Sequence, residues 1–369
     1  MVRSIRIYRI DWPQRHKAHQ IHTLMKLNHA IRGEVTVLDG GMGHELKLRG
    51  ISDETFVTGV LANENLLQAS TVEAIHYDYL AAGCDVITTN SFVAVPRRMI
   101  ECGLASDETS AFHRAAMLIR SSVDRARAAR DKFNDSHGGK IIRIAGCVPP
   151  LTKCYFGEQV PTIEELIQEY HMIVSTLVDC KVDIILCETL STTREALAIL
   201  QALSKINSQQ IPIWVNFTIK DDNPNELRSG EFLVDACSQI INQTASLRLP
   251  LEAIGVNCST PSAISKALLF IDPLVKGSDI NLCAYGNCFQ TTTSEWIASL
   301  KEEEDDDAQN KAAKKSEISA EDYDHNGYLL PDAYARYARE WAELGVNIIG
   351  GCCGSRPQHM KQVASMLRS

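Results

Sequence analysis

Two thiols stand side by side in "NIIGGCCGSRPQHM" (347–360), and a third, Cys258, follows "AIGVN" 94 residues before Cys352. Each group lies directly behind a short apolar run and so follows a predicted strand. Sulfur ligands gathered from strand ends suit Zn²⁺, which favours tetrahedral thiolate coordination and in catalytic sites leaves its fourth position for substrate. Gly350 and Gly351 are expected to turn the backbone tightly, so that Cys352 and Cys353 both reach one ion; on a continued strand, neighbours would face opposite ways. The plainer readings compete. A lone cysteine at a strand end is most often packing, and a vicinal pair can form a strained disulfide, which a reducing compartment disfavours. Two acids, Asp39 and Glu188, also close predicted strands. An uncompensated carboxylate there can bind an ammonium, whereas one beside an arginine or ahead of a helix serves as an ion pair or a cap.

The elements that must position these groups repeat along the chain. Candidate strands are "VTVLD" (35–39), "DVITT" (85–89), "IIRIAG" (141–146), "DIILCE" (183–188), "PIWVNFT" (212–218), "LEAIGVN" (251–257), "INLCAY" (280–285) and "VNIIG" (346–350). Helical patterns lie between them, at 65–83, 105–133, 162–180, 192–207, 231–247 and 261–272, with two more at 331–344 and 356–368. Continuous apolar strands imply a sheet covered on both faces, and strict alternation implies parallel strands joined by right-handed crossovers. Eight such units closing on themselves predict an α/β (β/α)₈ TIM barrel whose catalytic groups sit at the carboxyl ends of the strands. The competitor is an open doubly wound sheet. Its dinucleotide-binding form needs G-x-G-x-x-G after the first strand, and "LDGGMGHEL" has the wrong glycine spacing.

Bulk properties narrow the partners. A chain of 369 residues, 45% hydrophobic, can bury a large core as two domains or as one barrel. A formal charge of −9 argues against nucleic acid or an anionic membrane, since both need a basic surface. A small-molecule substrate is expected. The chain shows no apolar run long enough to span a bilayer and no secretory leader, so the twelve cysteines are read as mostly reduced and the protein as cytoplasmic. Residues 1–33 carry seven Lys and Arg against Asp11 alone; they are read as an N-terminal extension, with a mitochondrial address as the alternative. The barrel is assigned to 34–369. "KEEEDDDAQNKAAKKSEISAEDYDHN" (301–326), with ten acids and four bases, is read as a flexible insertion before the last strand. Its end imitates a calcium loop at Asp322, Asp324, Asn326 and Gly327, but the twelfth position is Ala333, so the bidentate carboxylate is missing.

"GVNC" (255–258) and "GGCCGSRPQHM" (350–360), together with "LDGGMGHEL" (38–46), "ITTNSF" (87–92) and "CETL" (187–190), resemble the homocysteine S-methyltransferase family. The resemblance runs from about residue 34 to the end, interrupted by the acidic insertion. It implies a (β/α)₈ barrel that holds zinc through Cys258, Cys352 and Cys353, with homocysteine sulfur completing the tetrahedron. It further implies that Asp39 and Glu188 grip the amino group of homocysteine and that backbone N–H groups around Gly40 and Gly41 receive its carboxylate. Asn257 is expected to orient the site beside Cys258, and Asn90 and Asn287 to line it. Relatives divide by methyl donor. Thr189 stands where betaine-using members carry an aromatic residue, whose ring would attract a quaternary ammonium. Only Gly354–Ser369 follow the cysteine pair, which leaves no room for folate or cobalamin modules. The expected donor is therefore a small sulfonium, S-methylmethionine ahead of S-adenosylmethionine, and the expected state a monomer or weak oligomer. A betaine- or cobalamin-linked methyltransferase and a non-catalytic zinc or thiol-binding barrel are the alternatives. Arg356 and "AYGNCFQ" depart from the family pattern near the rim.

Overall fold

Eight apolar segments pair in parallel: β1 (Thr36–Val37), β2 (Val86–Thr88), β3 (Arg143–Val148), β4 (Ile184–Leu190), β5 (Ile213–Phe217), β6 (Leu251–Asn257), β7 (Asn281–Gly286) and β8 (Ile348–Gly351). They belong to a computed structural model that describes residues 35–51, 58–64, 66–151, 161–206, 211–292, 295 and 320–369. The hydrogen-bonded order is β1-β8-β7-β6-β5-β4-β3-β2. A parallel bridge between Leu38 and Val86, with the Asp39 amide donating to the Val86 carbonyl at 3.0 Å, brings the first strand to the second and closes the ring. The architecture is the predicted (β/α)₈ barrel.

The helices are α1 (Met42–Leu48), α2 (Thr58–Leu61), α3 (Leu66–Ala81), α4 (Pro96–Glu101), α5 (Glu108–His137), α6 (Ile163–Asp179), α7 (Thr193–Ser204), α8 (Leu233–Leu247), α9 (Pro261–Val275), α10 (Pro331–Glu343) and α11 (Pro357–Leu367). Their starts are chemically marked. Asp107 and Ser110 form a reciprocal cap on α5, Thr162 and Glu165 do the same on α6, and proline opens α4, α9, α10 and α11. Among the described residues, no helix is long and apolar enough to cross a membrane.

Period-2 alternation sorts each strand between two cores. Ile184 and Leu186 point into the barrel with Leu38, Val86, Ala145, Trp214, Ala253, Cys283, Tyr285 and Ile348, whereas Ile185 and Cys187 pack outward under the helices. Both faces are therefore apolar, which is why the strands read as continuous hydrophobic runs. The amino-terminal end of the barrel is plugged. A bulge between Ile213↔Leu251 and Trp214↔Ala253 adds Glu252 to β6. Its carboxylate accepts from Trp214 Nε1 at 2.8 Å and from Arg143 Nη1 at 3.0 and 3.1 Å, and the Arg143 guanidinium lies 5.2 Å from the Trp214 ring.

The predicted extension 1–33 lies outside the described residues, as do 301–319 of the acidic insertion. Its end, residues 320–326, is described. A 3₁₀ turn (Ala320–Asp322) leads to Tyr323, which bridges Leu329 and packs on the core. The calcium-loop likeness is turn chemistry: Asp324 Oδ1 accepts from the amides of Asn326 and Tyr328 at 2.8 and 2.9 Å, and Asp322 pairs with Arg336.

Candidate metal centre

β6 and β8 deliver the three cysteines to one place at the carboxyl ends of the strands. Cys258 Sγ and Cys353 Sγ are 3.7 Å apart, and the Sγ atoms of Cys258, Cys352 and Cys353 all lie within 4.8 Å of one another. Tetrahedral bonds of about 2.3 Å to zinc would place neighbouring sulfurs about 3.8 Å apart. Hydrogen bonding with Cys258 and Cys353, and then burial, pushes the Cys352 thiol well above its ordinary range. Three sulfurs this close cannot all carry charge without a cation between them. Among the described residues, this is the one group of three or more such ligands that could hold an ion, and its donor set suits a soft divalent metal. Backbone bonds fix the ligands. The amide of Cys258 donates to Tyr285 at 3.1 Å, that of Cys352 to Gly286 at 2.9 Å, and that of Cys353 to Asn287 Oδ1 at 3.2 Å.

The glycines work differently from the sequence reading. Gly350 and Gly351 remain in β8, and the left-handed turn comes later, at Gly354 (φ +77°). What Gly351 supplies is close approach: a Cβ there would sit 2.2 Å from Ser355 Oγ and 2.5 Å from Ser355 Cβ. Gly41 faces the same seam, where a Cβ would stand 2.7 Å from the Cys352 carbonyl oxygen. Ser355 is the hub. Its hydroxyl donates to the Cys352 carbonyl at 2.7 Å and accepts from the Gly41 amide at 3.1 Å, while Tyr79 donates to the carbonyls of Gly41 and Ser355. The first and last strand ends are thus pressed together, and the Gly41 N–H is already engaged.

Asp39 lies two residues past β1, 4% exposed, accepting from the Thr88 amide at 2.7 Å and the Thr88 hydroxyl at 2.8 Å. Burial raises its pKa to about 8 against those hydrogen bonds, and Glu188 adds repulsion. Glu188 stands within β4, half-buried, and accepts from the Tyr285 hydroxyl at 3.3 Å. Burial raises it to about 7. Among the described residues, neither acid is paired with an arginine or caps a helix, so the ion-pair and cap readings fall away, and Glu188 is near enough to repel charge on Asp39.

The three asparagines part company. Asn257 hydrogen-bonds Thr189 and approaches Cys352, and Asn287 holds the Cys353 amide. Asn90 instead donates to Asn63 Oδ1 at 3.3 Å and accepts from Asn63 Nδ2 through its carbonyl at 2.8 Å, on the rim beside α2. Arg356 does not present a free charge at the mouth: it pairs with the buried Glu45, which also binds Arg49. Sequence reasoning missed Thr88, Tyr285, Tyr79 and Ser355, which support the named residues through contacts remote in sequence. It also missed His44, whose ring lies 5.2 Å from Phe289 and 6.0 Å from Tyr328 and accepts from the Gly354 amide at 3.4 Å.

Comparison with known proteins gives a family and a shared fold. The family model described as Homocysteine S-methyltransferase matches residues 36–367. Homocysteine S-methyltransferase YbgG of Bacillus subtilis is 26% identical over 348 residues, covering 90% of this chain and 94% of that protein. Selenocysteine methyltransferase of Astragalus bisulcatus is 24% identical over 363 residues, covering 91% and 94%. Among solved structures, the metallated form of the homocysteine methyltransferase MmuM from Escherichia coli superposes with a TM-score of 0.69 at 23% identity, over 92% of this chain and 97% of that one, which shows a shared fold.

Proposed function

The chain belongs to the homocysteine S-methyltransferase family, and on that premise we propose that it moves a methyl group from a small sulfonium compound to the sulfur of L-homocysteine, using zinc held by Cys258, Cys352 and Cys353. The observation that carries the reading is the packing of three sulfurs, two of them 3.7 Å apart, at the same mouth as two carboxyl groups with no basic partner among the described residues. When bound, Zn²⁺ supplies the positive charge that deprotonates an incoming thiol at neutral pH.

The rest falls to the chain's own residues. Asp39 and Glu188 receive the ammonium of the amino acid; burial favours the protonated form of each, so the arriving cation favours release of protons. The start of α1 has no side-chain cap, and with the Gly41 N–H given to Ser355, the substrate carboxylate is left to the neighbouring amides from Gly40 onward. Displacement at a methyl group needs no general base on carbon. It needs the sulfur and the methyl held in line, a contribution of roughly 7 to 11 kcal/mol for well-oriented groups. Thr189 places no ring beside Glu188 for a quaternary ammonium, which favours S-methylmethionine, then S-adenosylmethionine, over betaine. A metal-storage barrel has no use for paired ammonium-binding acids, which weighs against a non-catalytic reading.

Two measurements test this. Cys258→Ala and Cys353→Ala are expected to lose zinc and methionine formation together; methyl transfer by metal-free variants overturns the metal role. A donor panel at fixed homocysteine is expected to give turnover with S-methylmethionine, and activity with betaine alone overturns the donor assignment. Selenocysteine is to be tried as an acceptor beside homocysteine, because two relatives are named for it.

A further inference from the structure

We propose that Asn257 is a positioning residue that fastens the ammonium-binding side of the site to its sulfur side, acting through Thr189; this rests on the homocysteine reading above. β4 and β6 are separated by β5, so no backbone ladder joins their ends there. A side-chain clamp joins them instead. Asn257 Oδ1 accepts from the Thr189 amide at 2.8 Å, and its Nδ2 donates to Thr189 Oγ1 at 2.9 Å while lying 4.0 Å from Cys352 Sγ. The amide can serve both partners in one orientation only, since a flipped group would set two donors against each other.

The backbone shows why a clamp is needed. Thr189 sits at φ +60°, beside the register shift between Cys187 and Leu190, and Cys258 sits at φ +51°. A β-branched residue in the left-handed region is strained and persists only where its surroundings over-determine it. Here Thr189 follows Glu188 directly, and Asn257 precedes Cys258 directly. Both clamp residues are buried, at 2% and 0% exposure. The distance between the carboxyl group that meets the substrate's nitrogen and the sulfur that helps hold the metal is therefore set by two hydrogen bonds. A substrate that spans both ends feels any slack in that distance, whereas a thiol without an amino group does not.

The test compares homocysteine with 4-mercaptobutyrate, its analogue lacking the amino group, in wild type, Thr189→Val, Asn257→Ala and the double variant, with zinc content measured for each. Thr189→Val keeps the branched shape and the backbone N–H and removes only Oγ1. It is expected to lower kcat/KM for homocysteine about 5-fold and Asn257→Ala about 30-fold, with 4-mercaptobutyrate changing less than about 3-fold and the double variant no worse than Asn257→Ala. Equal losses on both acceptors, or single losses that multiply, overturn the clamp. If Asn257→Ala does not fold, Thr189→Val decides alone by the ratio of the two acceptors. A wild-type protein that methylates neither thiol overturns the functional reading and the clamp with it, whereas a working wild type whose variants keep its preference overturns the clamp alone.

Discussion

Replacing Asp39 with asparagine should make the metal-free protein more stable and less active. In the folded chain burial raises Asp39 to about 8 from an ordinary 3.8. Between those values the folded state keeps a proton that the unfolded state has lost. Stability from this group is therefore fully present below pH 3.8 and is lost as pH rises through 8, at about 1.4 kcal/mol per unit. At pH 7 the accumulated cost reaches about 4 kcal/mol as a ceiling. The substituted side chain would not titrate, and its amide can keep both contacts with Thr88, Oδ1 accepting from the N–H and Nδ2 donating to the hydroxyl. The gain is therefore up to about 4 kcal/mol at pH 7 and shrinks to about 2 kcal/mol by pH 5. Urea unfolding of both proteins at pH 5, 6, 7 and 8 measures it. In zinc-loaded protein, kcat/KM for homocysteine should fall about 100-fold, because a neutral amide cannot replace a charge-assisted bond to an ammonium. A difference in stability that stays flat across pH, or an unchanged KM, refutes the reasoning.

For the wild type, kcat/KM for homocysteine should rise between pH 6 and 8 as Glu188 and Asp39, at about 7 and 8, more readily give up protons to receive the ammonium; a flat profile would argue against their role. His76 is fully buried, with no hydrogen-bond partner at either ring nitrogen among the described residues, and burial lowers its pKa from 6.5 to about 4. Its contribution is present above pH 6.5 and lost as pH falls toward 4, so His76→Leu should retain about 2 kcal/mol more stability than wild type at pH 5, relative to their difference at pH 7, in urea titrations. Glu252→Ala removes the acceptor shared by Arg143 and Trp214 at the closed end; it should cost about 1–3 kcal/mol in denaturant melts and leave zinc content and KM within about twofold. Gly351→Ala should cost about 1–3 kcal/mol and weaken zinc retention by chelator competition, with partial recovery in Gly351→Ala with Ser355→Gly.

The eight strands were legible because each is an apolar run buried on both faces between amphipathic helices. The cysteine trio was legible because all three members sit just past strands, where topology alone brings distant segments together. The short helices α1, α2 and α4 escaped notice: "GGMGHEL" reads as a turn, and four to seven residues are too few to show a helical period. The Glu252 bulge, the Ser355 hub and the bond between Thr189 and Asn257 depend on register and on contacts across the ring, which no local pattern records. The glycine pair before the cysteines was visible, but its purpose was not. A turn and a tight contact both call for glycine, and only the neighbouring Ser355 distinguishes them.

β1 pairs with β8, so the ring is sealed by the two strands farthest apart along the chain. Of the sulfur trio, Cys258 is synthesised well before the other two, which arrive with β8 itself. On the proposed metal role, a nascent chain lacking that strand offers an ion only one of the three thiols, and the Asp39 carbonyl still lacks the Gly351 amide that donates to it. If the trio holds an ion as proposed, loading follows release of β8 from the ribosome, which would make possession of the ion a certificate that the whole circle has been assembled.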